Sequence, residues 1–211
     1  MSKVEDNKRQ KKTRLFKSAY KLFTSRGFNN TSIADIVEHA NVAKGTFYLY
    51  FKDKYDLRDQ LIEHKTNELI ILAGNRAYAS DEVKTLEDRL IFIINDIVDT
   101  FIADNGLMEL ISKNLIMGVL RHQLIASDTE ESEIYSRFLD MLEKETREYE
   151  DAEVLLFTVV EMAGSTLYNS IKYNEPLPPE DYKPYIYRSI RLIVRSFQKG
   201  NNLIDISANN K

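Results

Sequence analysis

The chain has 211 residues, 43% of them hydrophobic, and is long enough to bury a core. It contains no cysteine, which excludes disulfides and thiolate metal sites. Its net charge of −4 is unevenly distributed: residues 1–60 carry 13 Lys and Arg against 7 Asp and Glu, and residues 61–211 carry 16 against 26. A basic amino-terminal segment joined to an acidic remainder indicates that a polyanion would bind at the amino-terminal end only.

The first predicted element is an amphipathic helix of about 18 residues that starts near Lys8. Its apolar residues recur at spacings of three and four, which is one face of a helix: Leu15, Phe16, Ala19, Leu22 and Phe23. Gly27 follows and is expected to end the helix. A short second helix is expected after Thr31 or Ser32, with Asp35 completing a capping box with Ser32.

A third short helix is predicted from about Ala43 to Phe51, after a tight turn in which Asn41 adopts the left-handed conformation. At 100° per residue Phe47 and Phe51 share one face, so we expect both to be buried. Lys44, Gly45, Thr46 and Tyr48, with Leu49 beside them, then point outward. Two short helices joined by a turn and braced by a longer one form a helix-turn-helix, whose second helix normally enters the major groove.

These residues resemble the TetR family of transcriptional repressors. The similar stretch runs from about Leu15 to Leu57, and the pattern K-G-T-[LF]-Y-x-[YH]-F-x-x-K is met between Lys44 and Lys54. Two positions depart from the family pattern. Asn41 stands where the turn usually carries Gly, and Ala43 stands where Ser often caps the recognition helix, so the family's phosphate contact through that Ser is not expected here.

The resemblance implies a set of DNA contacts. Base edges would be faced by Lys44, Thr46 and Tyr48 together with the backbone of Gly45. Phosphates would be bound by Tyr50, Lys54 and either Thr31 or Ser32. An independent argument agrees for Lys54, since it lies in the first turn of a fourth helix opened by Asp53, where backbone N–H groups favour an anion. The alternative for Tyr48 and Tyr50 is that both rings only cover a small core.

A flanking basic cluster precedes this region and consists of Lys8, Arg9, Lys11, Lys12 and Arg14. It either contacts the DNA backbone or minor groove or forms a solvated arm. We predict a DNA-binding domain over residues 1–54 and a helical ligand-binding and dimerisation domain over residues 55–211. The chain is therefore expected to be all-α, because the remainder reads as helices without strand pairs or repeats.

Two helices near the carboxyl end favour association. The segment Asp151 to Tyr173 is apolar nearly all round and contains small residues at 163–165, and the helix of about residues 180–198 has Ile186, Ile190, Ile193 and Phe197 at helical spacing. Two such helices from each of two chains form a four-helix bundle, which is also the usual dimer interface of the family. The alternative is an ordinary monomeric core.

No metal, cofactor or catalytic site is expected, since the three histidines lack ligand spacing and no phosphate loop or nucleophile motif occurs. Candidate liners of a ligand pocket are the large apolar residues of the second domain and one acid: Phe92, Phe101, Met108, Met117, Phe138, Phe157, Glu161 and Met162. The alternative for Glu161 is an interface acid paired with an arginine of the last helix, Arg188, Arg191 or Arg195. The apolar liners are alternatively plain core.

The sequence thus predicts a cytoplasmic homodimer, not an enzyme and not in a membrane, that represses transcription from a palindromic operator. An unknown small-molecule inducer would release it by favouring a dimer whose recognition helices are wrongly spaced. A ligand-independent or activating regulator is the first alternative. A helical enzyme or a protein-interaction module is the second.

Overall fold

The computed structural model describes residues 3–114 and 133–200. All regular elements in this part of the chain are helices, apart from one isolated bridge between Tyr149 and Gln198, so the all-α prediction is confirmed. Few glycines and prolines interrupt these stretches, and residues with high helix propensity fill the exposed positions between apolar ones. Met117, one of the candidate pocket liners, lies outside the described residues.

Nine helices occur in the described residues: α1 (Lys3–Arg26), α2 (Ile33–His39), α3 (Lys44–Tyr48), α4 (Lys54–Ala79), α5 (Leu86–Ala103), α6 (Asn105–Asn114), α7 (Glu133–Glu143), α8 (Ala152–Tyr173) and α9 (Pro179–Ser196). The predicted start of α1 near Lys8 is wrong, because the helix begins at Lys3. Periodicity missed this turn since exposed Lys, Glu and Gln extend a helix without adding to its apolar face.

Residues fall into two compact units. The first comprises residues 1–66 and Asn105–Asn114, and the second comprises Asn67–Asp104 and residues from 115 onward. The first unit extends beyond the predicted boundary at residue 54, because Leu57, Leu61 and Ile62 of α4 are fully buried. The division of the chain into domains at residues 54 and 55 therefore stays a prediction.

The core of the first unit is built from the apolar faces of α1–α3 and the start of α4, with α6 against α1. Its fully buried side chains include Leu15, Ile36, Phe47, Phe51, Leu57, Leu61, Ile62, Met108 and Ile111. Each such side chain stabilises the fold by about 1.5–3 kcal/mol relative to exposure. The first unit therefore holds its short helices by burial, since a five-residue helix has no independent stability.

The core of the second unit lies where α8 packs on α9, and α5 packs on both. By length and composition alone α8 is the one helix of the described residues that could cross a membrane. It is instead the central helix of this core, with six of its side chains buried: Leu155, Leu156, Val159, Ala163, Leu167 and Ser170. α8 ends at Tyr173 and α9 begins at Pro179, and the prolines at 176 and 178 lie in the break between them.

Polar contacts tie α5 to α9 within this unit. The ammonium of Lys183 lies 2.8 Å from Oδ1 of Asp99 and 2.9 Å from Oε1 of Glu180, and the Tyr187 hydroxyl donates to Oδ1 of Asn95 at 2.7 Å. Burial opposes the charge of Lys183, but the hydrogen bonds to the two carboxylates outweigh it and raise the pKa of Lys183. These contacts fix the pairing of α5 with α9.

Candidate nucleic-acid interface

The start of α2 is held by a capping box. Ser32 is the N-cap, its hydroxyl accepts from the backbone N–H of Asp35 at 3.1 Å, and its own N–H donates to Oδ2 of Asp35 at 2.7 Å. The hydrogen bond from the Ser32 hydroxyl, followed by that from its backbone N–H, lowers the pKa of Asp35. The predicted cap is therefore present, and Ser32 is exposed at the amino terminus of α2.

The turn into α3 uses the backbone conformation that the sequence predicts. Asn41 has a φ of 50°, in the left-handed region. The Val42 N–H then donates to the Val37 carbonyl at 3.0 Å. Ala43 is the N-cap of α3 and provides no side-chain hydrogen bond, so the missing hydroxyl cap is not replaced by this residue.

The aromatic rings of α3 divide between two faces. Phe47 and Phe51 are buried, with ring centroids 5.5 Å apart, as predicted. Tyr48 is 52% exposed and Leu49 is 75% exposed. Tyr48 therefore does not cover the core, although its ring edge contacts Phe47 at 5.3 Å. The helix and its C-cap residue thus present one large aromatic and one large aliphatic side chain to solvent.

The first turn of α3 is open to a partner. Lys44 and Gly45 are exposed and Thr46 is half-buried. A Cβ placed on Gly45 would meet no protein atom within 4 Å, so packing inside this protein does not require a glycine there. The contacts of Lys44, Gly45, Thr46 and Tyr48 with base edges stay predictions.

Tyr50 is half-buried and links the segment that follows α3 to α1. Its hydroxyl donates to the Lys8 carbonyl at 3.0 Å. Nearby, the ammonium of Lys12 lies 5.4 Å from the ring of Phe16 and 5.8 Å from the ring of Phe51. The basic cluster of residues 8–14 thus lies on helix α1, beside the end of the α3 region. A phosphate contact by Tyr50 stays a prediction.

Lys54 makes contacts that the sequence does not predict. Its ammonium donates to the carbonyls of Phe28 at 2.9 Å and Thr31 at 2.8 Å, and it lies 4.3 Å from the Phe28 ring centroid. Asp53 caps α4 as expected, since its Oδ1 accepts from the N–H groups of Tyr55 and Asp56. Lys54 therefore clamps the α1–α2 loop to the start of α4, and its phosphate contact stays a prediction.

Thr31 requires a correction. The residue is 1% exposed, and its hydroxyl donates to the Gly27 carbonyl at 2.9 Å. A buried hydroxyl already bound to the loop backbone does not reach a phosphate. Of the two alternatives, only Ser32 keeps an exposed side chain, and its phosphate contact stays a prediction. The sequence could not separate the two residues, because both carry similar hydroxyls and only packing turns Thr31 inward.

One surface cluster was not predicted from the sequence. The Phe28 ring contacts Tyr55 edge-on at 5.1 Å, and the guanidinium of Arg58 lies 4.9 Å from the Phe28 ring and 5.4 Å from the Tyr55 ring. In the sequence, the only indication of this cluster is the spacing of Tyr55 and Arg58, which lie three apart on one helical face. It adds an exposed aromatic residue and a cation to the surface next to the Lys54 clamp.

The candidate ligand residues do not share one environment. Phe138 is buried in the core of the second unit, Met162 packs against that core, Phe92 and Phe101 are half-buried, and Phe157 is 36% exposed. Met108 is buried in the first unit. Glu161 is half-buried without an ion pair to any described residue of its own chain. Their shared role in ligand binding stays a prediction.

Histidines of the described residues have structural partners. Nδ1 of His39 lies 3.0 Å from the Ser18 hydroxyl, and the His64 ring stacks on Phe16 at 5.4 Å. No cluster of His, Asp and Glu suited to a metal ion occurs in the part of the chain that the structure describes.

Comparisons with known proteins agree with this geometry. Residues 15–61 match the sequence model described as "Bacterial regulatory proteins, tetR family". The chain is 31% identical over 78 residues to the HTH-type transcriptional regulator YvdT of Bacillus subtilis, covering 37% of this chain and 40% of that protein. It is 33% identical over 63 residues to the fatty acid metabolism regulator protein of the same organism, covering 30% and 32%. The chain thus spans less than half the length of these relatives.

Solved structures share the fold over most of the chain. A TetR-family regulator from Syntrophomonas wolfei has a TM-score of 0.63 at 21% identity, covering 88% of this chain and 95% of that one. The regulator FadR from Bacillus subtilis, solved with stearoyl-CoA, has a TM-score of 0.55 at 19% identity, covering 86% and 97%. The relatives are regulators of transcription, which agrees with the prediction that this chain is not an enzyme.

Proposed function

We propose that this chain, whose residues 15–61 belong to the TetR family of bacterial regulators, is a cytoplasmic transcriptional repressor. It binds a palindromic DNA operator as a homodimer and leaves it when a small molecule binds to the second unit. The observation that carries the proposal is the two-faced α3, with Phe47 and Phe51 buried behind an outward surface of Lys44, Gly45 and Tyr48.

This surface has the chemistry of a major-groove contact. Lys44 supplies a cation, the Tyr48 ring can pack on a thymine methyl group, and Gly45 lets the backbone approach the bases closely. Tyr48 and the C-cap residue Leu49 remain largely exposed and add little burial to this five-residue helix, and Gly45 lowers its helix propensity. A partner outside the chain supplies the reason for these residues.

The direct test is to enrich genomic DNA fragments on the purified protein and to sequence them. We expect a shared, roughly palindromic site, because two recognition helices related by a two-fold axis read two half-sites. A mobility shift with this site should weaken steeply with salt, since cations displace counterions from the DNA. Enrichment of no common site, together with no shift at moderate salt, would leave a protein-interaction module as the better explanation.

Ile186 and Ile190, which the sequence assigned to association, are buried in the core of the second unit, and Ile193 and Phe197 pack against it, so that assignment is wrong. The homodimer is instead proposed from the outward faces of α8 and α9. Val154 and Phe157 on α8 and Tyr185 and Leu192 on α9 are exposed large apolar residues. Ser165 and Gly164, also exposed on α8, leave room for another helix to approach. Burial of these side chains against a second copy would form a four-helix bundle. Sedimentation at micromolar concentration should show a dimer, and a monomer both with and without DNA would contradict it.

Ligand response is proposed for the second unit. A protein of similar fold was solved with stearoyl-CoA, which makes this compound the first to test. If Glu161 lines the pocket, Glu161→Gln should change the response to an inducer found by screening while operator affinity stays nearly intact. Loss of dimerisation in this variant would instead place Glu161 at the interface between the two chains, as in the alternative reading.

A further inference from the structure

We propose a second small-molecule site, in a polar depression at the start of α5, that binds an amino-acid-like zwitterion through Glu87. The depression lies within the second unit and encloses about 350 Å³. It is formed by the first turn of α5, the α7–α8 connection and the last turns of α9. This volume suits a small metabolite, since ligand pockets begin at about 300 Å³.

Glu87 is the residue that points to a ligand. It is only 7% exposed, yet it accepts no hydrogen bond from any described residue, and its closest ion-pair partner is Nε of Arg195 at 4.0 Å. A buried carboxylate is costly unless it is paired and hydrogen-bonded. Its oxygens face the depression rather than the sealed core, so Glu87 retains acceptor capacity that solvent fills in the free protein and a ligand can take over.

The other acids of the depression are already occupied. Oδ2 of Asp88 accepts from the Thr85 hydroxyl at 2.8 Å, and Oε1 of Glu145 accepts from Nη1 of Arg89 at 2.6 Å. Both accept a side-chain hydrogen bond from a described residue, which Glu87 does not. A donor that enters the depression would therefore bind to Glu87 first. An ammonium group suits a carboxylate best, because both partners of the hydrogen bond are charged.

The charges around Glu87 restrict the ligand further. Three guanidinium groups line the same depression, those of Arg147, Arg191 and Arg195. Arg191 lies 3.5 Å from Asp88, a long contact between half-exposed side chains that a ligand carboxylate can replace. A dication would face three arginines and a dianion would face Glu87 and Asp88. A zwitterion places its ammonium at Glu87 and its carboxylate at the arginines, so each charge meets the opposite sign.

Occupancy would connect α5 to the end of α9, because Glu87 lies on the first and Arg191 and Arg195 lie on the second. Any effect of this on DNA binding rests on the proposed function, since α9 carries part of the proposed dimer surface. Binding of the zwitterion to the depression does not depend on the proposed function. The site can therefore be tested on the full chain without DNA.

The experiment is isothermal titration of the full chain with the standard L-amino acids, one at a time. For each amino acid that binds, the amine lacking the carboxylate and the acid lacking the amino group are titrated next. Both should bind about ten-fold more weakly or worse. Glu87→Gln should weaken the amino acid by a similar factor. Glu148→Gln is the matched control, an exposed acid of the same connection paired with Lys199, and should bind as the original protein does.

Two results would overturn the proposal: no amino acid binds at millimolar concentration, or Glu87→Gln binds as tightly as the original protein. Melting of the unliganded variant adds an independent readout. A structural ion pair with Arg195 predicts that Glu87→Gln melts earlier, whereas a ligand site predicts that it melts no earlier. Mobility shifts with the original protein separate the two ideas. Absence of amino-acid binding with intact DNA binding contradicts only this site, and amino-acid binding without DNA binding contradicts only the proposed repressor.

Discussion

Replacing Lys54 by methionine separates a structural clamp from a phosphate contact. Methionine keeps most of the aliphatic stem and removes the ammonium, which donates to the Phe28 and Thr31 carbonyls and lies over the Phe28 ring. Hydrogen bonds to charged groups contribute about 1.5–3 kcal/mol each, and an exposed cation–π contact contributes about 0.5–1 kcal/mol. The carbonyls are only partly buried, so water replaces part of the lost bonding.

We therefore expect Lys54→Met to lower the free energy of unfolding by about 2 kcal/mol in total, less than the contributions would sum to. For a chain of this length the melting midpoint should fall by about 4–8 °C. The assay combines thermal melting with titration of random duplex DNA at several salt concentrations, below the midpoint of each variant. Lys52→Met is the matched control, since it removes one positive charge from an exposed neighbour.

A clamp predicts that Lys54→Met melts early, while the salt dependence of its DNA binding resembles that of Lys52→Met. A phosphate contact predicts the reverse: melting near the original midpoint and a salt slope shallower by about one unit. That second result would refute the reasoning from the hydrogen bonds. An early melt combined with a shallower slope than the control would mean that the ammonium exchanges its carbonyls for a phosphate when DNA binds.

Three further predictions concern other residues. Phe51→Ala should destabilise the first unit by about 3–5 kcal/mol, whereas Tyr48→Ala should melt as the original protein does and weaken operator binding by about 1–3 kcal/mol; equal melting of the two variants would contradict the division of the rings. The lowered pKa of Asp35 means that its contribution to stability is present above the ordinary carboxyl pKa and is lost as pH falls through the lowered value. Ser32→Ala should return the pKa of Asp35 toward its ordinary value in an NMR titration, and an unchanged titration would exclude Ser32 as the cause. Leu192→Glu should convert the dimer to monomer in sedimentation without lowering the melting midpoint of the monomer, because Leu192 is 58% exposed, and a dimer of unchanged affinity would remove α9 from the interface.

Local chemistry made the helix-turn-helix predictable. The Ser32 cap with Asp35, the left-handed Asn41 and the burial of Phe47 and Phe51 all depend on residues within four positions of each other. Patterns of this range can be read from sequence because backbone propensity and helical periodicity are local properties.

Contacts between distant positions could not be predicted in the same way. Lys54 binds carbonyls 23 and 26 residues earlier in the chain, and the inward turn of Thr31 depends on the same packing. Glu87 and the arginines of α9 are brought together only by the pairing of α5 with α9. Every residue has a backbone carbonyl, so carbonyls do not appear in a pattern of side chains. The sequence therefore cannot distinguish a lysine that donates to carbonyls from a lysine that binds a phosphate.

The open space beside Gly45 has an evolutionary consequence. Alanine would fit there without a clash, and in a helix it is favoured over glycine by about 0.5–1 kcal/mol. Selection of a mutant library for folding alone should therefore enrich alanine at this position. Selection for operator binding should retain Gly45. The frequency of glycine at this position would therefore show whether a population of variants was selected for folding or for DNA binding.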